Sequence, residues 1–290
     1  MKPQSRDTIA ERIRLHGKRL TAAEHKLVDA LLANYPVAGL SSITELAAKA
    51  KVSTPTVLRL AKKLGFSGFP AFQAELKAEL SAQLQNPIAR HDRWSSEAPE
   101  EHILNRFAGA ALDNLRVSIK RLDHREFDSI AESLAQRRNH VHVVGGRITR
   151  TLAEYFHTHL GMVRPDVSLM PDMPALWPQY LLNIDKASLL VVFDVRRYDP
   201  QVFELARLAA SRGATIILIT DQWMSPISTV ARHSLPLRIE VPSSWDSNIV
   251  PLFLIETLIA AVANLHWPET QRRIKELETI VDAQRKTRKG

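Results

Sequence analysis

The sequence predicts an all-α domain at the N-terminus, followed by an α/β domain with a parallel sheet flanked by helices. Three observations carry this. The first 85 residues show only helical periods, including two short capped helices in tandem. From residue 141 onward, β-rich runs alternate with helical patterns, the mark of βαβ units. The charge is also divided: residues 1–85 carry a net +6, residues 86–270 a net −2 and residues 271–290 a net +4, within a total of +8. A length of 290 residues suits two domains, and 45% hydrophobic content with 16 scattered prolines is an ordinary globular composition. The absence of cysteine excludes disulfides, a thiol nucleophile and thiolate metal sites. No apolar run reaches the ~18 residues of a membrane span; the nearest, Ile249–Leu265, is interrupted by Glu256 and Thr257. The expectation is a cytoplasmic protein with no membrane partner.

A helix is predicted over residues 5–16, with Ile9 and Ile13 inward and Arg6, Arg12 and Arg14 outward. Thr21 and Glu24 form a capping box for a second, which carries Leu27, Val28, Leu31 and Leu32 and stops before Pro36. Ser42 with Glu45 opens a third, whose stripe is Ile43, Leu46, Ala47 and Ala50. Lys51-Val52 turns the chain, and Ser53 is expected to cap a fourth helix with Pro55 in its first turn. That helix buries Val57, Leu60, Ala61 and Leu64 and ends at Gly65. Ser53 at the cap and the outward Thr54, Thr56, Arg59, Lys62 and Lys63 are the candidate DNA-contacting residues. Two helices joined by so short a turn suit a helix-turn-helix, whose second helix enters the major groove of duplex DNA, where arginine can bond two acceptors on guanine. A helical hairpin with a solvated basic face is the alternative. Residues 70–84 form a further helix, and 86–99 (NPIARHDRWSSEAP), with turn formers and no lasting period, is expected to be the interdomain linker.

Over Leu20–Leu76 the chain resembles the DNA-binding domain of the RpiR (MurR/RpiR) family of bacterial transcriptional regulators. The resemblance rests on Thr21-Ala22-Ala23-Glu24, on Val52-Ser53 with Thr56-Val57 and Arg59, and on Leu64-Gly65-Phe66-Ser67-Gly68-Phe69. It implies that a SIS (sugar isomerase) domain follows, normally one that senses a phosphosugar. The organisation expected is residues 1–85 as the helix-turn-helix domain, 86–99 as linker, and 100–290 as a SIS-like sensing and oligomerising domain.

In the second half, helices are expected over 100–122 and 126–138. Strands are expected at Val141–Val144, Val167–Met170, Leu189–Phe193, Thr215–Thr220 and Ser234–Ile239, and closing helices over 246–266 and 268–284. Ligands of parallel sheets sit past the carboxyl ends of strands, and three such ends carry polar chemistry here. Gly145-Gly146-Arg147-Ile148-Thr149 lies where the resemblance places a G-x-G-x-S phosphate loop, with Arg147 in place of the second glycine and Thr149 in place of the serine. Asp194-Val195-Arg196-Arg197-Tyr198 stands where SIS proteins carry S-x-S-G-x-T, and none of those serines is present. Arg196 and Arg197 could instead grip an anion with guanidinium forks, or pair with Asp194 or Asp199. The third end, residues 242–248, offers Ser243 and Ser247, but also an ordinary helix cap from Ser244 or Asp246.

The six candidate effector contacts are therefore Arg147, Thr149, Arg196, Arg197, Ser243 and Ser247, around a small anionic metabolite, a sugar phosphate or an organic acid. The partners expected are an operator duplex, this effector and a second copy or more of the chain, as homodimer or homotetramer. No cofactor and no metal is expected: His157 and His159, two apart on a helix, face different sides. Trp177 and Tyr180 suit packing. Two other readings stand beside the regulator. One is a sugar-phosphate isomerase or lyase with Glu240 or Glu256 as base; the other is a SIS-like half that only dimerises.

Overall fold

The computed structural model describes residues 7–96, 101–136 and 138–287. The N-terminal region is all helical: α1 (Ile9–His16), α2 (Ala22–Leu32), α3 (Ile43–Lys49), α4 (Thr54–Lys63) and α5 (Phe69–Leu84). Three capping boxes begin α1, α2 and α3, formed by Thr8 with Glu11, Thr21 with Glu24 and Ser42 with Glu45. Each satisfies helix-start N–H groups that would otherwise lack partners. Ile9, Leu27, Leu31, Leu46, Leu60, Leu64, Phe72 and Leu76 meet in one core, so that no single short helix has to bury its own stripe.

Next come α6 (Pro87–Ser96), α7 (Ile103–Arg121) and α8 (His124–Ala135). Helix α6 occupies most of the stretch in which the sequence shows no lasting period. Asn86 and Pro87 are turn formers at an N-terminus: the Asn86 side chain accepts the Ala89 N–H at 2.8 Å, and proline occupies the first helical position. Residues 97–99 of the expected linker, the Arg6 position and the end of the basic tail at Arg288 and Lys289 lie outside the described residues.

The second domain alternates β1 (His140–Gly145), α9 (Arg150–Val163), β2 (Val167–Leu169), α10 (Trp177–Leu181), β3 (Ser188–Asp194), α11 (Pro200–Ser211), β4 (Thr215–Asp221) and β5 (His233–Leu237). Helices α12 (Ile249–Leu265) and α13 (Trp267–Thr287) follow. The five strands are parallel in the order β2-β1-β3-β4-β5, with Val143 opposite Leu169 and Val191, and Val191 opposite Ile217. Side chains alternate between faces, as a strand's period of two requires. Val141, Val143, Val191, Phe193, Ile217 and Ile219 pack against α8, α9 and α12, whereas Val144, Leu190, Val192, Ile216 and Leu218 pack on the side of α11. Trp177 belongs to the second cluster and donates its indole N–H to Pro171 O at 2.8 Å, and Tyr180 packs beside it.

The two domains touch. The N-terminal core continues into Trp223, Met224 and Ile239 of the α/β domain. Around this apolar contact, Arg238 donates to Glu11 at 2.6 Å, Arg121 pairs with Asp7 and Glu11, and Thr8 Oγ1 donates to Gln222 O at 3.0 Å. Among the described residues no single helix is long and apolar enough to cross a membrane.

Candidate functional site

The α3–α4 turn is built from main-chain bonds. Lys51, at φ 53°, donates to Ala48 O, and Val52 donates to Ala47 O at 2.9 Å. The same pair of bonds closes α4, where Gly65 (φ 90°) donates to Lys62 O and Phe66 to Ala61 O. These αL caps fix the entry and exit of α4. Its inward side is Val57, Leu60 and Ala61, and its outward side is Ser53, Leu58, Arg59 and Lys62, with Thr54 half-buried.

Three sequence-level assignments change here. Thr56 is not outward; it is 4% exposed, its hydroxyl bonded to Ser53 Oγ at 3.0 Å and receiving Arg59 Nη2 at 3.0 Å. Ser53 sits at the cap position but makes no side-chain bond to a helix N–H, because its hydroxyl is engaged with Thr56. Lys63 turns back to Glu24 (2.6 Å) and Arg19 O (3.1 Å), tying α4 to the α2 end of the core. Leu58, 39% exposed on the outward side, was missed because an apolar residue in a basic face looks like a core position.

The second site is a cavity of about 590 Å³ at the carboxyl ends of β1 and β3. Gly145 lets the end of β1 pass the start of α9: a Cβ there would lie 2.4 Å from Thr149 O. Thr149 holds this loop from within, accepting the Gly146 N–H (2.9 Å) and donating to Phe193 O (2.7 Å). Beyond β3, Arg196 adopts φ 54° and gives its N–H to Asp221. Asp221 is buried and also accepts the Tyr198 hydroxyl (2.8 Å) and the Trp223 N–H (2.9 Å); burial pushes its carboxyl up to about 6. Asp194, likewise pushed up to about 6 by burial, accepts from Ser225 Oγ and the Asp199 N–H.

Of the six predicted effector residues, Arg147, Thr149, Arg196 and Arg197 line this cavity. Ser243 and Ser247 do not. Ser243 Oγ accepts the Trp245 N–H, and Ser247 is buried with its Oγ accepting the Ile249 N–H at 3.2 Å. Arg147 and Arg197 are exposed, and neither takes part in an ion pair among the described residues. Arg196 is committed. It makes a forked pair with Asp246 (Nη2–Oδ1 3.0 Å), reaches Glu240 at 3.3 Å, donates to Ala82 O at 2.8 Å and lies over the Trp223 ring at 4.3 Å. Its carboxylate partners are thus Asp246 and Glu240, not the Asp194 or Asp199 nearer in sequence. Asp246 is correspondingly unavailable as a helix cap.

Sequence reasoning missed the contribution of the segment that leads into and through α6. Gln85, Pro87 and Arg90 line the cavity, and Arg90 pairs with Asp246 at 2.9 Å. The signal available was the Asn86-Pro87 helix start. The candidate bases lie elsewhere: Glu256 is exposed and accepts the Tyr155 hydroxyl at 3.0 Å, and Glu240 faces Arg196. His159 stacks on Tyr155 apart from His157, and the described residues hold no group of three or more His, Asp or Glu suited to a metal.

Comparison with known proteins agrees with both halves. Residues 7–83 match the model of the helix-turn-helix domain of the rpiR family, and residues 133–261 match the SIS domain. The chain is 29% identical over 286 residues to the HTH-type transcriptional regulator HexR of Pseudomonas aeruginosa, covering 92% of this chain and 94% of that protein. It is 24% identical to the HTH-type transcriptional regulator RpiR of Escherichia coli, covering 94% and 92%. Among solved structures, the NanR protein of Vibrio vulnificus complexed with ManNAc-6P superposes with a TM-score of 0.56 at 20% identity, over 94% of this chain and 98% of that one. An N-terminal helix-turn-helix of this type on a parallel-sheet SIS domain places the chain in the RpiR family of HTH-type transcriptional regulators.

Proposed function

We propose that this regulator reads an operator duplex through the outward side of α4 and that its SIS cavity binds a small anionic metabolite, a sugar phosphate or organic acid, that changes operator affinity. The observation that carries the effector reading is the pair Arg147 and Arg197, exposed cations without ion-pair partners among the described residues, at one cavity. Two exposed guanidinium groups lining one cavity draw an anion to it, and guanidinium binds phosphate or carboxylate in a fork. The bound phosphosugar in the NanR structure supports the same class of ligand. The role is sensing rather than catalysis. Neither candidate base lines the cavity, and the carboxylates that do line it are engaged: Asp194 with Ser225, Asp199 with the Gln201 N–H, and Asp246 with two arginines.

The chain acts as a homodimer or higher oligomer. Ile103, Leu104, Leu112 and Ile119 are exposed along α7, and a second copy offers them cover. Two reading heads then require inverted half-sites about one helical turn apart or a multiple of it. A thermal-shift screen of the full chain against sugar phosphates and organic acids tests the effector reading. An anion at ~100-fold excess over its Kd adds about 2.7 kcal/mol and raises Tm by a few degrees. Arg147→Ala with Arg197→Ala should abolish that rise and leave effector-free operator binding intact. A rise unchanged in the double variant overturns the cavity assignment.

A further inference from the structure

The cavity is walled by the α/β domain on one side and on the other by the chain that leaves the DNA-binding domain. Two polar atoms on that second wall have no hydrogen-bond partner among the described residues. Arg90 is only 3% exposed; its Nη1 pairs with Asp246 at 2.9 Å and its Nη2 points to Trp245 O at 3.4 Å, while its Nε–H is buried and unbonded. Gln85, at the C-cap of α5, buries its amide oxygen, also unbonded. An unsatisfied buried donor or acceptor is costly, and the great majority in folded proteins find partners. Here both belong to side chains that line one cavity, a donor on a cation and a neutral acceptor. A ligand that satisfies both must bring an acceptor, as an anionic group does, and a donor, as a hydroxyl does.

We propose that Gln85 and Arg90 are ligand contacts, so that a hydroxyl-bearing anion is held jointly by the α/β domain and by the segment descending from α5. This rests on the cavity being an anion site. It adds that binding requires the docked arrangement of the two domains. Arg196 keeps the same segment in place through Ala82 O, and the Asp246 that it grips also orients Arg90. A ligand that bridges the two walls binds the docked state more tightly than an undocked one, so it stabilises docking by that difference in affinity. The position of the reading helix and the occupancy of the cavity are then one equilibrium.

The test is titration calorimetry on the full chain with glucose 6-phosphate, fructose 6-phosphate and inorganic phosphate. A sugar phosphate should bind wild type more tightly than inorganic phosphate, which lacks the sugar hydroxyls. Gln85→Leu and Arg90→Lys, the latter keeping the charge beside Asp246 but losing the Nε donor, should each weaken sugar-phosphate binding about tenfold. Gln85→Leu should leave inorganic phosphate unaffected, a distinction that a merely structural role would not produce. Arg121→Glu breaks docking at Asp7 and Glu11, neither of which lines the cavity, and should weaken the sugar phosphate several-fold as well. If both segment variants bind like wild type while Arg147→Ala does not, the anion site stands and the joint contact is wrong. If none of the three probes binds wild type, the anion reading falls and this inference falls with it.

Discussion

Glu79 is buried against the start of α1, where it accepts the Ile9 N–H at 2.7 Å and the Tyr35 hydroxyl, and burial pushes its carboxyl up to about 7. In the unfolded chain the same group titrates near its ordinary value of 4.5. Between those two pH values the folded state binds more protons than the unfolded state. This group's contribution is therefore full below pH 4.5 and is lost as the pH rises to 7. The difference corresponds to about 3 kcal/mol at most. Glu79→Gln keeps a carbonyl acceptor and cannot ionise, so its stability should depend less on pH. In urea unfolding at pH 5 and pH 8, wild type should lose roughly 1–3 kcal/mol more than the variant between the two. Asp194 and Asp221 slope in the same direction, which is why the comparison is between variant and wild type rather than between pH values alone. Parallel pH profiles would show that Glu79 ionises as easily in the folded protein as in the unfolded chain.

Helix α4 owes its orientation to caps and its chemistry to four outward residues. Arg59→Ala should cost about 1–3 kcal/mol of specific operator affinity and relax preference at one base pair. Lys62→Ala should weaken all duplexes alike and lower the salt slope by ~1. Thr56→Val removes the hydroxyl that receives Arg59 and should loosen specificity by less than Arg59→Ala does, with little loss of non-specific binding. Titrations of operator and random duplex across salt check all three, and an Arg59→Ala protein with wild-type preference means another element reads the bases. Elements of this kind were legible because local signals agree. Val141 and Val143 alternate with the side chains of the opposite face, and Ser42 with Glu45 announces α3 in four residues. What escaped was tertiary. Helix α6 is held by Arg90 reaching Asp246 and Trp245, roughly 155 residues on. Thr56 looked solvent-facing because its burial depends on hydroxyl partners that no periodicity records. In the cavity, the two strand-end loops were legible from the switch of β run to glycine or charge. The occupant of Arg196 was not, since Asp246 lies fifty residues away along the chain.

At the scale of the whole molecule, the two domains are joined by more than their covalent connection. Glu11 is buried and serves twice, accepting the Thr8 N–H within its capping box and pairing with Arg121 and Arg238 from the other domain. Beside it, Trp223, Met224 and Ile239 extend the apolar core of the first domain into the second. Removing one member of a buried ion cluster strands the others, at a cost of about 3–5 kcal/mol, whereas an exposed pair is worth ~0–1 kcal/mol. Arg121→Ala leaves Asp7 and Glu11 short of a counter-charge, and Arg238 still pairs with Glu11, so the loss falls on docking rather than on either core. Calorimetric unfolding of wild type should then be a single coupled transition. Arg121→Ala should split it in two, one transition for each domain, because neither core contains the side chain that was lost. Arg207→Ala serves as the comparison. Its pair with Glu204 is exposed and lies within α11, and its loss should leave the single transition nearly unmoved. A wild-type protein that already unfolds in two steps would mean that the ion cluster does not couple the domains.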